Sequence, residues 1–251
     1  MLALAISTAA IINFALPAAG RMDEDPFEPI NRTAHAGNLV LDRYIAKPAS
    51  EIYGSAMPAE FANAVQRISS NLSLPSSALN QFLQFQFERG MHNSLRFIIN
   101  STIGIAGTFD VATYMGIYEY KTDFGTTLHN TFGMSSGPYV VLPIFGPSNV
   151  RDSLGFAADT LLNPLYWVVP SMDAAPVVSF NALAAIGKRH ANATIIDPLY
   201  YESEDSYGQT RLYFTQNRDF ELRGGFPGED YFDPYIGTGE IYEELFGPFS
   251  E

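Results

Sequence analysis

Apolar residues recur at helical spacing along most of the chain. After Pro58, the residues Phe61, Val65, Ile68 and Leu72 fall at i, i+4, i+7 and i+11, which predicts a helix that a proline can open without losing a hydrogen bond. The same spacing predicts five further helices: 76–87, 91–102, 148–161, 177–187 and 205–223. Strict period-2 alternation, which is typical of half-buried strands, persists nowhere for long. The pattern therefore predicts an almost all-α fold.

Cap and turn residues set the predicted helix ends. Ser76 and Ser77 are predicted N-caps, so that a second helix begins immediately after the one opened by Pro58. Ser148 is the predicted cap of the helix that follows Pro147. The helices are short, and several are apolar on more than one face, which is unlike a regular bundle.

One uncharged segment departs from the helical pattern. It runs from Phe124 to Val150, and its glycines and prolines would cost a helix roughly 1 and ~3 kcal/mol each. Between Gly137 and Gly146, the sequence therefore predicts a hairpin or re-entrant loop with an apolar face. Its predicted lipid-contacting residues are Pro138, Tyr139, Val140, Val141, Leu142, Pro143, Ile144 and Phe145. The alternative is a buried core loop, because such backbone is tolerated at membrane depth only where it packs on protein or lines a wet cavity.

The two ends of the chain differ from its middle. Residues 1–20 carry no charge and read as a secretory signal peptide that ends in small residues, with a buried N-terminal helix as the alternative. Residues 21–225 hold no flexible linker and are predicted to form one domain. Residues 226–251 hold seven acids and no base, which predicts a solvated, flexible acidic tail.

The net charge of the chain limits the kinds of molecule that it can bind. The chain has a formal net charge of −13, which repels nucleic-acid phosphates and excludes a polybasic membrane patch. Residues 1–196 contribute only −3 of this charge and residues 197–251 contribute −10. Charged residues make up 16% of the chain, against roughly 25% in an ordinary soluble domain. This deficit in the nearly neutral part indicates contact with lipid.

Catalytic motifs are weak. Residues 133–137 match the G-x-S-x-G nucleophile elbow around Ser135, and Asp159 or Asp173 followed by His190 supplies the order of an esterase triad. An elbow needs a buried strand before the serine and a helix after it, and the flanking sequence predicts neither. The four histidines are scattered, and the chain has no cysteine, so we expect neither a metal nor a cofactor. The motifs alone imply no reaction.

Several ordered motifs resemble the MlaA (VacJ) family of outer-membrane phospholipid-transport lipoproteins. They cover nearly the whole chain after residue 20, and are DPFEPINR at 25–32, LDRYIAKP at 41–48, RFIINSTIG at 96–104, FDVA at 109–112, DFGTTL at 123–128, GPYVVLP at 137–143, GPSNVRD at 146–152 and DPLYY at 197–201. The resemblance implies that the functional motif positions include Asp25, Pro26, Asn31, Arg32, Phe124, Gly125, Gly137, Gly146, Arg151 and Asp152.

The resemblance implies an irregular, single-domain helical ring that lies in the inner leaflet of the outer membrane, on its periplasmic face. Through an amphipathic channel, such a protein removes phospholipids mislocalised to the outer leaflet. It passes them to a soluble periplasmic carrier of the MlaC type and so maintains lipid asymmetry without being an enzyme. Trimeric porins are the family's usual partners, and the hairpin at Gly137 to Gly146 would sit beside the channel.

One feature departs from the family pattern. Members typically carry a lipidated lipobox cysteine, whereas 16–21 here reads LPAAGR and the sequence has no cysteine. For this sequence we expect retention by buried apolar surface, at about 25 cal/mol per Å². A loosely held or periplasmic form is the alternative location. Besides transport, the alternative functions are an esterase or lipase that uses Ser135 and a porin-associated scaffold that moves no lipid.

Overall fold

A computed structural model describes residues 25–165 and 174–223 of the chain. The chain divides into two compact units, one ending at Thr210 and the other beginning at Arg211. The predicted signal peptide (1–20) and acidic tail (226–251) lie outside the described residues. The predicted domain limits therefore stay predictions.

Helices dominate the described residues, which confirms the predicted all-α class. Their bounds are α1 Glu28–Leu41, α2 Lys47–Ala56, α3 Ala59–Leu83, α4 Phe87–Thr102, α5 Val111–Tyr114, α6 Phe124–Phe132, α7 Val150–Leu162, α8 Ala174–Ala191, α9 Ala193–Asp197 and α10 Ser206–Leu222. Two single turns of π-helix, Asp42–Ala46 and Pro198–Glu202, follow α1 and α9 directly. The predicted helices 91–102, 177–187 and 205–223 are confirmed as α4, α8 and α10.

Helix α3 corrects the predicted break at Ser76. A single helix continues through Pro75, because neither serine caps a new helix: the Ser76 hydroxyl donates to Asp159 (2.8 Å) and the Ser77 hydroxyl to the Thr122 carbonyl (3.2 Å). An interior proline costs a helix ~3 kcal/mol. Packing of α3 against α4, α6 and α8 along its length offsets this cost.

The predicted cap of α7 is also wrong by one residue. The Asn149 side chain accepts the hydrogen bond of the Asp152 N–H at 2.8 Å and so caps the helix. Ser148 is buried one residue earlier, where its hydroxyl lies 3.0 Å from that of Ser153.

The hairpin predicted between Gly137 and Gly146 is confirmed. Strands β1 (Tyr139–Leu142) and β2 (Gly146–Asn149) pair antiparallel, with Tyr139 opposite Asn149 and Leu142 opposite Gly146. Gly137 and Gly146 adopt positive φ angles of 67° and 87°, a conformation that favours glycine. At the tip, Ile144 takes a φ of 72°, which is costly for a β-branched residue.

Burial along α4 is the reverse of that in a water-soluble protein. Its polar residues Asn93, Arg96 and Asn100 are buried, whereas Met91 and Ile98 are 60% and 57% exposed. The inversion is general, since more polar than apolar residues are buried among those the structure describes. Exposed apolar surface of this extent marks contact with lipid or with another protein.

A helix needs more to span a membrane than to contact one. Within 25–165 and 174–223, no helix has both the length and the apolar composition that spanning a bilayer demands.

Candidate functional site

A polar cavity of about 540 Å³ lies among α3, α4, α8 and the segment 107–122. Its lining is dominated by hydroxyl, amide and charged side chains: Gln66, Arg67, Ser69, Ser70, Asn71, Ser73, Leu74, Ser77, Arg96, Asn100, Gly107, Asp110, Glu119, Lys121, Thr122, Asn181 and Lys188. A volume of several hundred Å³ is in the usual range for a small-molecule or headgroup site. The chain therefore places a polar cavity inside a structure whose apolar side chains face outward.

Serines of α3 form one wall of the cavity. Ser70, Ser73 and Ser77 are spaced by three, four or seven residues, which places them on one side of the helix, and Ser69 adjoins Ser70. The Ser69 hydroxyl donates to the Asn181 side chain (2.8 Å) on α8. The other three hydroxyls also donate within the protein, to Glu119, to the Ser70 carbonyl and to the Thr122 carbonyl, so the wall is fixed and lined by hydroxyl oxygens.

Arg96 and Asp110 form a fixed ion pair at the wall made by α4. Two Arg96–Asp110 contacts of 3.0 and 3.1 Å join them, and the Arg96 side chain is 5% exposed. Asp110 also accepts from Asn100 (3.0 Å) and from the Thr113 hydroxyl (2.6 Å). Burial raises the pKa of Asp110, but the hydrogen bonds from Thr113, Asn100 and Arg96 outweigh it and lower that pKa. The Arg96–Asp110 pair therefore has a structural role.

Three cations of the cavity have no such partner. Arg67, Lys121 and Lys188 form no ion pair with any carboxylate in the described part of the chain. Arg67 uses its Nε to donate to the Thr108 carbonyl at 2.7 Å, which positions the guanidinium. Cations held in a partly closed cavity attract phosphate and form charge-assisted hydrogen bonds with it.

Asn31, a predicted family-motif position, holds the hairpin. Its buried side chain donates to the Tyr139 carbonyl (3.0 Å) and accepts from the Val141 N–H (2.9 Å). The same amide nitrogen donates to Asp25 (3.1 Å), and Asp25 also accepts from the Tyr207 hydroxyl. Asp25 thus orients Asn31, whereas the neighbouring Pro26 is exposed in the turn before α1.

Asn38, two turns farther along α1, repeats this contact at the end of the strand. Its side chain donates to the Leu142 carbonyl (3.0 Å) and accepts from the Ile144 N–H (2.7 Å). The bond to Ile144 helps to hold its left-handed backbone. Ile144 and Phe145 are exposed at the tip, and the Phe145 ring lies 4.8 Å from that of Phe156 on α7.

Arg32 ties α1 to the segment before α10. Its guanidinium contacts both oxygens of Asp205 (2.9 and 3.1 Å) and Glu28 (2.7 Å), and lies 4.5 Å above the Tyr207 ring. Hydrogen bonds from Arg32, and next from the Gly208 N–H, lower the pKa of Asp205 to about 2. The arrangement is exposed, and surface pairs of this kind contribute ~1 kcal/mol or less.

Phe124 and Gly125 lie where α6 crosses α7. The Phe124 N–H donates to Asp159 (2.8 Å), whose pKa burial raises. Backbone atoms of Gly125 come so close to Gly155 that a Cβ on Gly155 would lie 2.4 Å from the Gly125 nitrogen. Phe124 and Gly125 therefore help α6 and α7 to cross at close range.

Arg151 and Asp152 lie side by side at the start of α7. Arg151 is 1% exposed; its Nε donates to Asp152 at 3.0 Å, and its Nη1 lies 3.5 Å from the His129 ring. Asp152 also accepts from the Asn149 amide at 2.7 Å. This buried cation joins α6, the hairpin and α7 at one point.

Of the predicted family-motif residues, Asp25 and Asn31 support the hairpin, whereas Arg32, Phe124 and Gly125 join other elements. The cavity is a separate feature that sequence reasoning missed. In β1, Tyr139 and Val141 are buried, whereas Pro143, Ile144 and Phe145 are exposed at the tip. Pro138, Val140 and Leu142 are half-buried. The spacing of the α3 serines was the available signal for the cavity. The lipid-contacting role of the hairpin stays a prediction.

The candidate esterase residues are not brought together. Ser135 is exposed in the loop after α6. Asp159 is bonded to Ser76, Asn80 and the Phe124 N–H, and the His190 ring lies against Gly54 of α2. The other triad candidate, Asp173, lies outside the described residues.

Comparison with known proteins agrees with the motifs. The MlaA lipoprotein family matches residues 23–221. Two relatives named as the intermembrane phospholipid transport system lipoprotein MlaA, from Shigella flexneri and Escherichia coli K12, are 33% and 32% identical over 89% of this chain and 88% of theirs. A solved chain from work on the structural basis for maintenance of bacterial outer membrane lipid asymmetry superposes with a TM-score of 0.67 at 32% identity, over 79% of this chain and 99% of that one. The chain therefore belongs to the MlaA lipoprotein family.

Proposed function

We propose that the protein is the outer-membrane component of an intermembrane phospholipid transport system. It removes phospholipids mislocalised to the outer leaflet through an amphipathic channel, passes them to a periplasmic carrier, and so maintains outer-membrane lipid asymmetry. The observation that carries the proposal is the inverted burial, with a polar cavity inside and apolar side chains outside. Membership of the MlaA lipoprotein family, and the names its relatives bear, support it.

The exposed apolar side chains support residence in lipid. In water, surfaces such as Met91, Leu95 and Ile98 of α4 or Ile144 and Phe145 of the hairpin would remain unburied. Moving such surface into hydrocarbon gains about 25 cal/mol per Å², so a few hundred Å² is worth several kcal/mol. A protein that lies in one leaflet needs no spanning helix, and this fits the helices described above.

The cavity supports a phospholipid as the transported molecule. A headgroup needs polar partners because its phosphate loses water when it leaves the membrane surface. Arg67 and Lys121 supply positive charge that no described carboxylate pairs with, and the α3 serines add polar hydroxyl oxygens to the lining. The acyl chains would be left to apolar surroundings, which is the amphipathic division that lipid translocation requires.

Bound lipid is the direct test. The protein is purified in mild detergent and its co-purifying lipid is identified by mass spectrometry. We expect phospholipid, and a doubly substituted Arg67→Gln/Lys121→Gln protein should retain several-fold less. Arg89→Gln is the matched control, because Arg89 is exposed outside the cavity, where it donates to Gln86 (3.1 Å) and lies 5.2 Å from the centre of the Tyr120 ring. Unsubstituted protein free of phospholipid would contradict the proposal.

Outer-leaflet phospholipid in cells tests transport itself and separates it from esterase chemistry. A strain that lacks the protein should accumulate phospholipid in its outer leaflet. The unsubstituted protein and Ser135→Ala should both restore asymmetry, whereas Arg67→Gln/Lys121→Gln should not. If Ser135→Ala failed to restore asymmetry and also lost ester hydrolysis, the esterase function would replace transport.

The partners follow from the same proposal. We propose that a periplasmic lipid carrier of the MlaC type receives the lipid, that an outer-membrane porin holds the protein in place, and that the protein rests in the inner leaflet with its acidic C-terminal quarter toward the periplasm. The charge division supports this orientation, since residues 197–251 carry −10 of the net −13. Removal of 226–251 should leave carrier affinity unchanged if the tail is only solvated, and weaken it if the tail docks the carrier.

A further inference from the structure

Glu119 is a carboxylate of the cavity that lacks a positive partner. It lies between α5 and α6, lines the cavity, and accepts one hydrogen bond, from the Ser70 hydroxyl at 2.9 Å. No Lys or Arg in the described part of the chain forms an ion pair with it. A carboxylate in a partly closed polar cavity is most stable with a cation or several donors, and Glu119 has a single neutral donor.

Asp110, the other acid of the cavity, already accepts hydrogen bonds from several donors. It binds the Arg96 guanidinium through both oxygens and also accepts from Asn100 and Thr113. A ligand cation therefore gains little at Asp110. Glu119 is the acid of the cavity that can still bind a ligand cation.

Glu119 lies close to an unpaired cation that could hold phosphate. Ser70, which binds Glu119, and Arg67 are three residues apart on α3, so their Cβ atoms are neighbours at about 5–6 Å. Arg67 is held by the bond from its Nε to the Thr108 carbonyl and forms no ion pair with a described residue. Arg67 and Ser70, the serine that binds Glu119, thus lie on adjacent turns of α3, and the cation and the carboxylate line the same cavity without forming an ion pair.

We propose that the cavity selects a zwitterionic phosphoethanolamine headgroup, with the phosphate at Arg67 and the ammonium at Glu119. The proposal rests on phospholipid being the transported molecule and names its class. In phosphatidylethanolamine, two methylene groups separate the ammonium from the phosphate ester, a short spacing that suits a phosphate at Arg67 and an ammonium at the carboxylate bound by Ser70, one turn farther along α3. The ammonium donates charge-assisted hydrogen bonds to the carboxylate, whereas the neutral glycerol of phosphatidylglycerol offers only hydroxyls.

The first experiment measures headgroup preference in the protein that the cell makes. Lipid is extracted from purified protein and from the membranes it came from, and the ratio of phosphatidylethanolamine to phosphatidylglycerol is compared. Glu119→Gln should lower the ratio in the bound lipid by roughly threefold to tenfold, the usual size of one hydrogen bond, with total bound lipid largely retained. Glu60→Gln is the control, because Glu60 is exposed at the start of α3 and away from the cavity.

The second experiment needs no variant and so remains decisive if Glu119→Gln does not fold. Unsubstituted protein in detergent is offered phosphatidylethanolamine and its N-acetylated form, which keeps the phosphate and lacks the ammonium. We expect the N-acetylated lipid to bind roughly threefold to tenfold more weakly. Equal binding of the two lipids, or an unchanged ratio in Glu119→Gln, overturns the headgroup proposal but leaves transport standing. Failure to bind either lipid overturns the transport proposal itself.

Discussion

Asn31 and Asn38 lie two turns apart on α1, and each binds the main chain of β1 as a neighbouring strand would. Each side chain donates its amide N–H to a β1 carbonyl and accepts a main-chain N–H, from Val141 in β1 for Asn31 and from Ile144 just beyond β1 for Asn38, at distances between 2.7 and 3.0 Å. Seven residues of α-helix advance ~10.5 Å, about the length of three strand residues. Side chains of α1 thus pair with the exposed edge of the two-stranded hairpin. A strand edge covered in this way is not free to pair with a strand of another molecule.

Substitution of Asn31 should loosen the hairpin. Asn31→Ala leaves the Tyr139 carbonyl and the Val141 N–H without partners, and we expect a loss of ~1–3 kcal/mol in unfolding free energy. Hydrogen exchange should show the Val141 amide losing protection while amides of α4 keep theirs. Asn63→Ala is the control, because Asn63 is exposed on α3, and its effect should stay within about 0.5 kcal/mol. Unchanged protection at Val141 would mean that the helix does not hold the strand.

The closeness of α6 and α7 should make Gly155 intolerant of any side chain. A Cβ there would lie 2.4 Å and 2.7 Å from the nitrogen and Cα of Gly125, so Gly155→Ala must push the helices apart, at a cost of ~1–3 kcal/mol. Gly37→Ala is the matched control within α1, since its Cβ would meet nothing within 4 Å and helix propensity should give a gain of ~0.5–1 kcal/mol. Thermal unfolding of the two variants should shift in opposite directions.

The sequence predicted the hairpin and most helices because their signals are local. Gly137 and Gly146 mark positive φ angles, and the apolar run between them needs only neighbouring residues to be interpreted. Ser76 shows where local reasoning fails: a serine in this pattern is a good N-cap, but Asp159, 83 residues away, takes its hydroxyl and α3 continues. Tertiary contacts of that kind cannot be inferred from spacing alone.

The direction of burial is a second property that the local pattern does not determine. Met91, Leu95 and Ile98 mark an apolar face of α4, and a face of this kind normally turns toward the core. In the structure these residues are exposed and the opposite polar face, with Asn93 and Arg96, is buried. Periodicity fixes the two faces of a helix and does not say which of them meets the protein interior when the surrounding medium is lipid.

The exposed face of α4 offers a test of membrane contact. Replacing Met91, Leu95 and Ile98 together by glutamine should weaken partition into phospholipid vesicles by an order of magnitude or more, because ~0.8 kcal/mol is lost for each methylene-sized group kept from lipid. Unfolding free energy should change little, since these side chains are already exposed. Vesicle flotation measures the first quantity and circular dichroism the second. A large loss of stability with unchanged flotation would place this face against protein instead.

The ion pair at the cavity wall predicts a pH dependence of stability. Hydrogen bonds and the Arg96 charge hold the pKa of Asp110 below its ordinary value of 3.8, although burial opposes them. A carboxyl group with a lowered pKa in the folded state stabilises the protein above its unfolded pKa, and this contribution is lost as the pH falls through the folded value. The contribution should therefore be complete near neutral pH, begin to fall near the unfolded pKa of about 4, and disappear below the lowered pKa of folded Asp110.

Asp110→Asn isolates this contribution. At pH 7 it leaves the buried Arg96 without its counter-charge, and we expect a loss of ~2–4 kcal/mol, somewhat less than for a fully buried pair because the Asp110 side chain is 30% exposed. As the pH falls through the lowered pKa of Asp110, the carboxyl group in the unsubstituted protein becomes neutral, as the asparagine is at every pH. The two proteins should then approach the same stability. Urea unfolding at a series of pH values measures the difference. The control is Asp205→Asn, whose pair with Arg32 is exposed and should change stability by ~1 kcal/mol or less at pH 7. A difference for Asp110→Asn that stayed constant from pH 7 to pH 3 would show that the lost hydrogen bonds, and not the charge, carry the effect.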